Sequence, residues 1–258
     1  MAETYPGTQA VIRAIRLLKL FGQKQSYLTL TEAVEMSGLN KTTAFRLLGA
    51  LQSEGLLERT ETNDYRLGPE LVALGGRAMQ HNSLIRVAEP IMNRLMNKVN
   101  ERVTLEQPIV DPDEGLSMLL LNQVHSTHLI GVNQLYGTRM AIHATSTGKA
   151  YMAYLERSEI SAILSKNLLT YTPQTLTGYN DLMEELSEVR QKGYAVALGE
   201  LETGLLAVGA PLFNHLGKPI AAISIEAPDS RNSEERLHQM AIPLKAAAAE
   251  ISYKLGYR

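Results

Sequence analysis

Apolar residues at Val11, Ala14, Ile15, Leu18 and Phe21 recur at the three- and four-residue spacing of one helix face, which predicts a helix over residues 8–21. Arg13, Arg16 and Lys19 lie off that stripe, and residues 22–26 end it. A second, short helix is expected over 31–37, stopped by Gly38. Asn40 is suited to cap a third, running to about Glu54 with Gly55 just past its end. Two β segments, 56–59 and 64–67, flank the turn-rich stretch 60–63 and read as a wing. Residues 1–69 are thus expected to form a winged helix-turn-helix.

Gly68 and Pro69 punctuate the chain. A linker helix is predicted within 70–82, softened by Gly75 and Gly76, and an amphipathic helix over 84–99. Beyond it β patterns dominate, at 102–110, 115–124, 127–133, 194–198, 205–213 and 219–226. Helices are expected between them near 147–154, 158–167 and 180–192. A long helix over 233–255 closes the chain, with Glu234 and Glu235 at the positive end of its dipole. Strands that follow one another in hairpin-like runs favour an antiparallel sheet flanked by helices over a doubly wound parallel one. The predicted class is α+β, with residues 83–258 as a second domain.

Composition narrows the function. The chain of 258 residues has no cysteine, which removes disulfides, thiolate catalysis and Cys-based zinc sites and suits a reducing cytoplasm. No apolar run reaches the ~18 residues of a membrane span, and the opening MAETYPGTQA lacks the features of a signal peptide. Net charge is −2; residues 1–80 carry 9 Lys/Arg and 8 Asp/Glu. A head so nearly neutral must bind DNA through placement of cations rather than bulk charge.

On the third helix, Ala44, Leu47, Leu48 and Leu51 share one stripe and are expected to face inward. Thr42, Phe45, Arg46, Gly49 and Ser53 fall opposite. A recognition helix reads bases with its N-terminal residues. Arg46 can fork onto a guanine edge or a phosphate, Thr42 and Thr43 can bond either, and Phe45 can cover a thymine methyl. Gly49 lets the backbone approach closely. Lys41, Arg59 and Arg66 are expected at phosphates, which position without specifying.

In the distal part, residues 143–149 (HATSTGK) look like a hydroxyl-rich helix entry. Two readings stand: the hydroxyls cap the helix, or its free N–H groups and dipole draw a carboxylate. It is not a P-loop, because His143 and Ala150 replace residues that motif requires. Glu200 and Glu202, in GELETG, could serve as an acid–base pair but read better as solvated turn charges. His125 and His128 have a spacing open to metal ligation, with His143 and His215 elsewhere; a turn between strands explains the pair as well. No metal site and no cofactor are expected.

The chain resembles the IclR family of bacterial transcriptional regulators. The head carries the resemblance in LTLTEAVEMSGLNKTTAFRLLGALQSEGLLER and YRLGPELVALG. The distal part carries it in GTRMAIHATSTGKAYMAYL, YTPQTLT, VRQKGYAVALGELETGLLAVGAPLFNHLGKPIAAISIEAP and SEERL. The motifs keep their order over nearly the whole chain. Within the family, the tail SEERLHQMAIPLKAAAAEISYKLGY is similar to regulators of sugar-acid catabolism. The resemblance implies a GAF-like or profilin-like effector domain and a dimer, often a dimer of dimers, on a palindromic operator near a catabolic operon. Small organic acids or aromatic compounds are the implied effectors. The positions it assigns to the effector pocket are Leu129, Val132, Ser146, Thr147, Ala197, Leu205, Ala207, Ser224 and Glu226. Three depart from the family pattern: Ala197 replaces an acidic residue, Ala207 a Cys found in some members, and Glu226 a small residue. A carboxylate at 226 repels an anionic ligand unless it is paired, protonated or used to hold a hydroxyl or amine; alternatively it points outward at a strand end.

The leading expectation is therefore a ligand-responsive, DNA-binding regulator that is not an enzyme. Its rivals are an enzyme converting a small acid in the distal domain, which no triad, cofactor fingerprint or metal cage supports, and a ligand-free DNA-binding protein.

Overall fold

The computed structural model describes residues 7–22, 25–111 and 115–258. The opening stretch through residue 6 and part of the stop at 22–26 lie outside the described residues. The chain divides into two compact units, 1–81 and 82–258. The linker helix expected within 70–82 falls in the first of these units.

In the first unit, α1 (Gln9–Lys19), α2 (Leu30–Ser37) and α3 (Lys41–Ser53) precede a two-stranded hairpin, β1 (Leu57–Arg59) and β2 (Tyr65–Leu67). Local chemistry sets the boundaries. Thr29 and Glu32 form a reciprocal capping box at the start of α2. Gly38 ends it at φ 67°, a left-handed conformation that costs residues with a Cβ but not glycine. Asn40 accepts the Thr43 N–H at 2.8 Å and starts α3. Leu17, Phe21, Leu28, Ala33, Leu48, Leu51, Leu57 and Tyr65 form the core. Leu28 pairs with Tyr65 through the backbone, which ties the segment before α2 to the wing. Then α4 (Pro69–Gln80) buries none of its residues.

The second unit begins with α5 (Ser83–Val99), capped by Asn82. Six strands follow: β3 (Arg102–Asp111), β4 (Gly115–Val124), β5 (Arg139–Ala141), β6 (Ala195–Leu198), β7 (Leu205–Phe213) and β8 (Pro219–Pro228). They make one antiparallel sheet in the order β5-β4-β3-β8-β7-β6. Helices α6 (Ser146–Met152), α7 (Arg157–Leu164) and α8 (Tyr179–Lys192) intervene, and α9 (Glu234–Lys254) ends the chain. Among the described residues no helix is long and apolar enough to cross a membrane.

Strand alternation sorts side chains onto two faces. Val103 and Leu105 of β3, Leu206, Val208, Ala210 and Leu212 of β7, and Ala221, Ile223 and Ile225 of β8 join the core built with α5 and α9. The alternate positions, among them Arg102, Thr104, Glu106, Ala207, Gly209, Ser224 and Glu226, belong to the opposite face, on which α6 packs. Gly209 is required there: a Cβ would stand 2.6 Å from the Ser146 carbonyl carbon and 2.8 Å from the Thr147 nitrogen.

One expected strand is absent. Residues 127–133 form no ladder; the strand on the outer edge of β4 is β5, paired at Ser117–Leu119. Side chains hold the segment instead. Asn100 Oδ1 accepts from the Thr127 N–H at 3.1 Å, Arg231 donates to the Ile130 carbonyl at 2.7 Å, and Gln123 donates to the Gln134 carbonyl at 2.9 Å. Other element ends differ from expectation by one to three residues, where helix and strand signals fade.

Candidate nucleic-acid interface and effector cavity

In the head, α3 buries Ala44, Leu48 and Leu51, with Leu47 half-buried beside them. Lys41, Thr42, Phe45, Arg46 and Gly49 are exposed, and Thr43 is half-buried. Phe45 is 51% exposed, a large apolar ring on an otherwise polar face. In the wing, Arg59 and Arg66 are exposed. Arg66 pairs with Glu58 across the hairpin at 2.6 Å, and Arg59 lies 5.6 Å over the Tyr65 ring. An exposed ion pair such as Arg66–Glu58 is weak in water, so a phosphate can compete for the guanidinium.

The second unit holds a small cavity, about 320 Å³ when the part open to solvent is counted. Gln134, Thr145, Ser146, Thr147, Glu200 and Glu226 form its polar wall. Met140, Ala144, Ala197, Leu201, Leu205 and Ala207 form the apolar one. Of the positions assigned to a pocket above, Ser146, Thr147, Ala197, Leu205, Ala207 and Glu226 line it. Ser224 is fully buried outside the lining, hydrogen-bonded to Thr104 at 2.6 Å. Leu129 is wholly exposed and Val132 half-buried, both outside the lining. The reason is the missing strand: without a ladder to hold 127–133, Gln134 reaches the cavity in their place.

Behind the lining lies a buried polar network. Arg102 forms an ion pair with Glu226 and donates from Nε and Nη2 to Gln123 Oε1 at 3.0 and 2.6 Å. Glu226 is therefore inward and paired, not at an outward strand end. Glu106 is hydrogen-bonded to the hydroxyls of Thr147 and, at 2.9 Å, Thr104. Burial, with the Glu226 charge adding to it, pushes the Glu106 carboxyl up to about 8. Burial also raises Glu226, against the pull of Arg102. One cation thus faces two buried carboxylates, and Arg102 opposes the effect of burial more strongly at Glu226 than at Glu106.

A second buried cation completes the site. Lys149 on α6 donates to Glu200 at 2.7 Å and to Glu185 of α8 at 2.9 Å. The expectation of a solvated Glu200 is corrected: it is buried, and burial raises its carboxyl, opposed by Lys149 and to a smaller extent by the Leu198 backbone. Glu202 is exposed, as a turn charge would be. The capping role falls to Thr145, whose Oγ1 accepts the Gly148 N–H at 3.2 Å. His143 is buried, which lowers its pKa, and its Nε2 lies 2.9 Å from the Leu169 carbonyl. Among the described residues no three His, Asp or Glu side chains converge as a metal set.

Arg102, Glu106, Gln134 and the Lys149–Glu200 pair were not foreseen. Arg102-Val103-Thr104-Leu105-Glu106 alternates polar with apolar, the pattern of a strand with one wet face. Thr147 of α6 on Glu106, and Gln123 and Gln134 on Arg102, take its polar side chains out of water.

Comparison with known proteins agrees with this architecture. Residues 10–61 match the IclR helix-turn-helix domain, and residues 76–253 match the family described as bacterial transcriptional regulator IclR C-terminal. The chain is 31% identical over 250 residues to the HTH-type transcriptional regulator KipR of Bacillus subtilis, covering 96% of this chain and 98% of that protein. An IclR transcriptional regulator from Alicyclobacillus acidocaldarius superposes with a TM-score of 0.86 at 29% identity, covering 96% of this chain and 98% of that one. An IclR homologue from Microbacterium hydrocarbonoxydans, crystallised with 4-hydroxybenzoate, gives 0.79 at 26% identity, covering 96% and 99%.

Proposed function

The chain belongs to the IclR family of bacterial transcriptional regulators, and from that premise we propose that it acts as a dimer, or a dimer of dimers, on a palindromic operator under the control of a small molecule held in the second unit. The observation that carries the reading is the coexistence of an exposed α3 face with a lined cavity behind which the charges are already paired. A binding site needs such fixed polar groups; a catalyst needs a reacting group poised at the cavity wall, and Glu200 and Glu226 are both committed to cations. The reading is accordingly of a regulator and not an enzyme. Its work on the chromosome places it in the cytoplasm.

In this reading Arg46, Thr42, Thr43, Phe45 and Gly49 meet base edges, while Lys41, Arg59 and Arg66 meet phosphates. Self-association is supported by apolar residues left exposed in the head unit: Val11 and Ile15 on α1, and Val72, Leu74 and Met79 on α4. A dimer doubles the contacts of a head that has little net charge. The effector is a small organic acid or aromatic compound, and operator affinity changes by the difference in its affinity for two states of the dimer. The helix α4 is the covalent route between the units.

Operator and random duplexes are compared by gel shift over a salt series. Binding is expected to weaken steeply with salt as phosphates are neutralised. Arg46→Ala is expected to cost about 1–3 kcal/mol on the operator and much less on random DNA. A variant that keeps the wild-type preference for operator over random duplex would remove Arg46 from the reading set.

A further inference from the structure

The wing carries an excess of acid. Between residues 54 and 66, Glu54, Glu58, Glu61 and Asp64 stand against Arg59 and Arg66 alone. A DNA backbone repels such a balance. The wing's approach to phosphate therefore depends on whether its two guanidinium groups are free to meet one.

They are not equally free. The register of the hairpin sets Arg59 opposite Tyr65 and Glu58 opposite Arg66. Arg59 lies over the Tyr65 ring and reaches the Asn63 carbonyl at 3.5 Å; among the described residues it meets no carboxylate. Arg66 presents Nε and Nη2 to one oxygen, Glu58 Oε2, at 2.8 and 2.6 Å. The Tyr27 side chain hydrogen-bonds the same guanidinium, brought there by the backbone pairing of Leu28 with Tyr65. Nε–H and Nη2–H form an edge with which arginine forks onto phosphate, so Glu58 stands where a phosphate oxygen would. The Arg66 and Glu58 side chains are 53% and 38% exposed. Water screens the pair, and a phosphate that displaces the carboxylate leaves Glu58 uncompensated beside the DNA backbone.

We propose that Glu58 is an internal competitor for DNA phosphate at Arg66, which holds the head's affinity for any duplex below what its cations alone would give. This rests on the reading of Arg66 as a phosphate contact. Phosphate contacts carry no sequence information, so Glu58 lowers affinity without altering base preference, which stays with α3. A head weakened in this way binds firmly only when a second head engages with it.

The test titrates full-length protein by fluorescence anisotropy, over a salt series, against two duplexes: one selected by the wild type from a randomised library, and one scrambled from it. Glu58→Gln is expected to tighten binding to both by about two- to sixfold at low salt, the competition an exposed ion pair exerts. One more neutralised phosphate is expected to steepen the slope of log affinity on log salt by about 0.9. In an Arg66→Ala background no guanidinium is left to release, and the same substitution is expected to bring a clearly smaller gain. No gain in the Arg66 background, an unchanged slope, or a gain confined to the selected duplex overturns the proposal. Equal gains in the two backgrounds also overturn it, because Glu58 then acts through its own charge and not through Arg66. Arg66→Ala by itself separates the two ideas. If it binds both duplexes as the wild type does, the phosphate reading of Arg66 falls and the proposal with it; if it binds more weakly while the two gains are equal, the proposal alone falls.

Discussion

Replacing Arg102 by Met tests the buried charge arrangement most directly. Arg102 and Glu226 have side-chain exposures of 2% and 7%, so removing the guanidinium leaves a carboxylate with neither water nor cation. Removing one partner of such a pair costs about 3–5 kcal/mol. The carboxylate escapes by taking a proton. Holding a proton on a group whose ordinary value is 4.5 costs about 1.4 kcal/mol for each pH unit above it, hence about 4 kcal/mol near pH 7.5 and about 1.4 near pH 5.5. The sign follows: a carboxyl raised in the folded state withdraws stability as pH climbs, so Arg102→Met is expected closest to wild type in acid. Urea unfolding at the two pH values reads both numbers. Adding Glu226→Met to Arg102→Met is expected to recover most of the loss, since no charge is then left unpaired. Glu226→Gln alone is expected to cost less than Arg102→Met, because Glu106 stands close enough for Arg102 to act on its charge and can ionise in its place. A loss below about 1 kcal/mol for Arg102→Met near pH 7.5, or one that does not shrink in acid, would refute the reasoning.

Glu106→Gln removes the other buried carboxyl and should flatten the pH profile. In the wild type the folded chain holds the Glu106 proton up to about 8 while the unfolded chain releases it near 4.5. Stability is therefore full below the lower value and falls by the order of a few kcal/mol through that window; melting temperatures from mildly acidic to mildly alkaline buffer should show a shallower slope in the variant, where the raised Glu226 and Glu200 remain, and equal slopes would contradict the assignment. Gly209→Ala pushes a methyl to within 2.6 Å of the Ser146 backbone, and a loss of about 1–3 kcal/mol is expected from the overpacking. An unchanged melt would mean that α6 yields freely, in which case Ser146 and Thr147 are not rigidly placed. Asn40→Ala removes the acceptor for the Thr43 N–H and should cost about 1 kcal/mol of head stability, read by urea unfolding; no change would show that the α3 cap is redundant.

Local rules written in the chain settle much of this protein. Capping at Thr29 and Asn40, the left-handed stop at Gly38, and the 3.6-residue stripe through Ala44, Leu48 and Leu51 each involve residues within a few positions of one another. The head and the exposed face of α3 were therefore legible without coordinates. The hairpin-like succession β3–β4 and β7–β8 likewise announced an antiparallel sheet. The stretch 127–133 misled because its β-forming residues do not by themselves supply a strand to pair with. The chemistry of the cavity was the least legible. Arg102 and Glu226 are 124 positions apart and Lys149 and Glu200 are 51 apart, and nothing near any of them in sequence marks it as buried. An alternating strand reads the same whether its polar face meets water or a helix. The charge on Glu106, the pairing of Glu226 and the burial of Glu200 were decided only by what packs around them, because the cost of a charge depends on what surrounds it in space and not on what adjoins it along the chain.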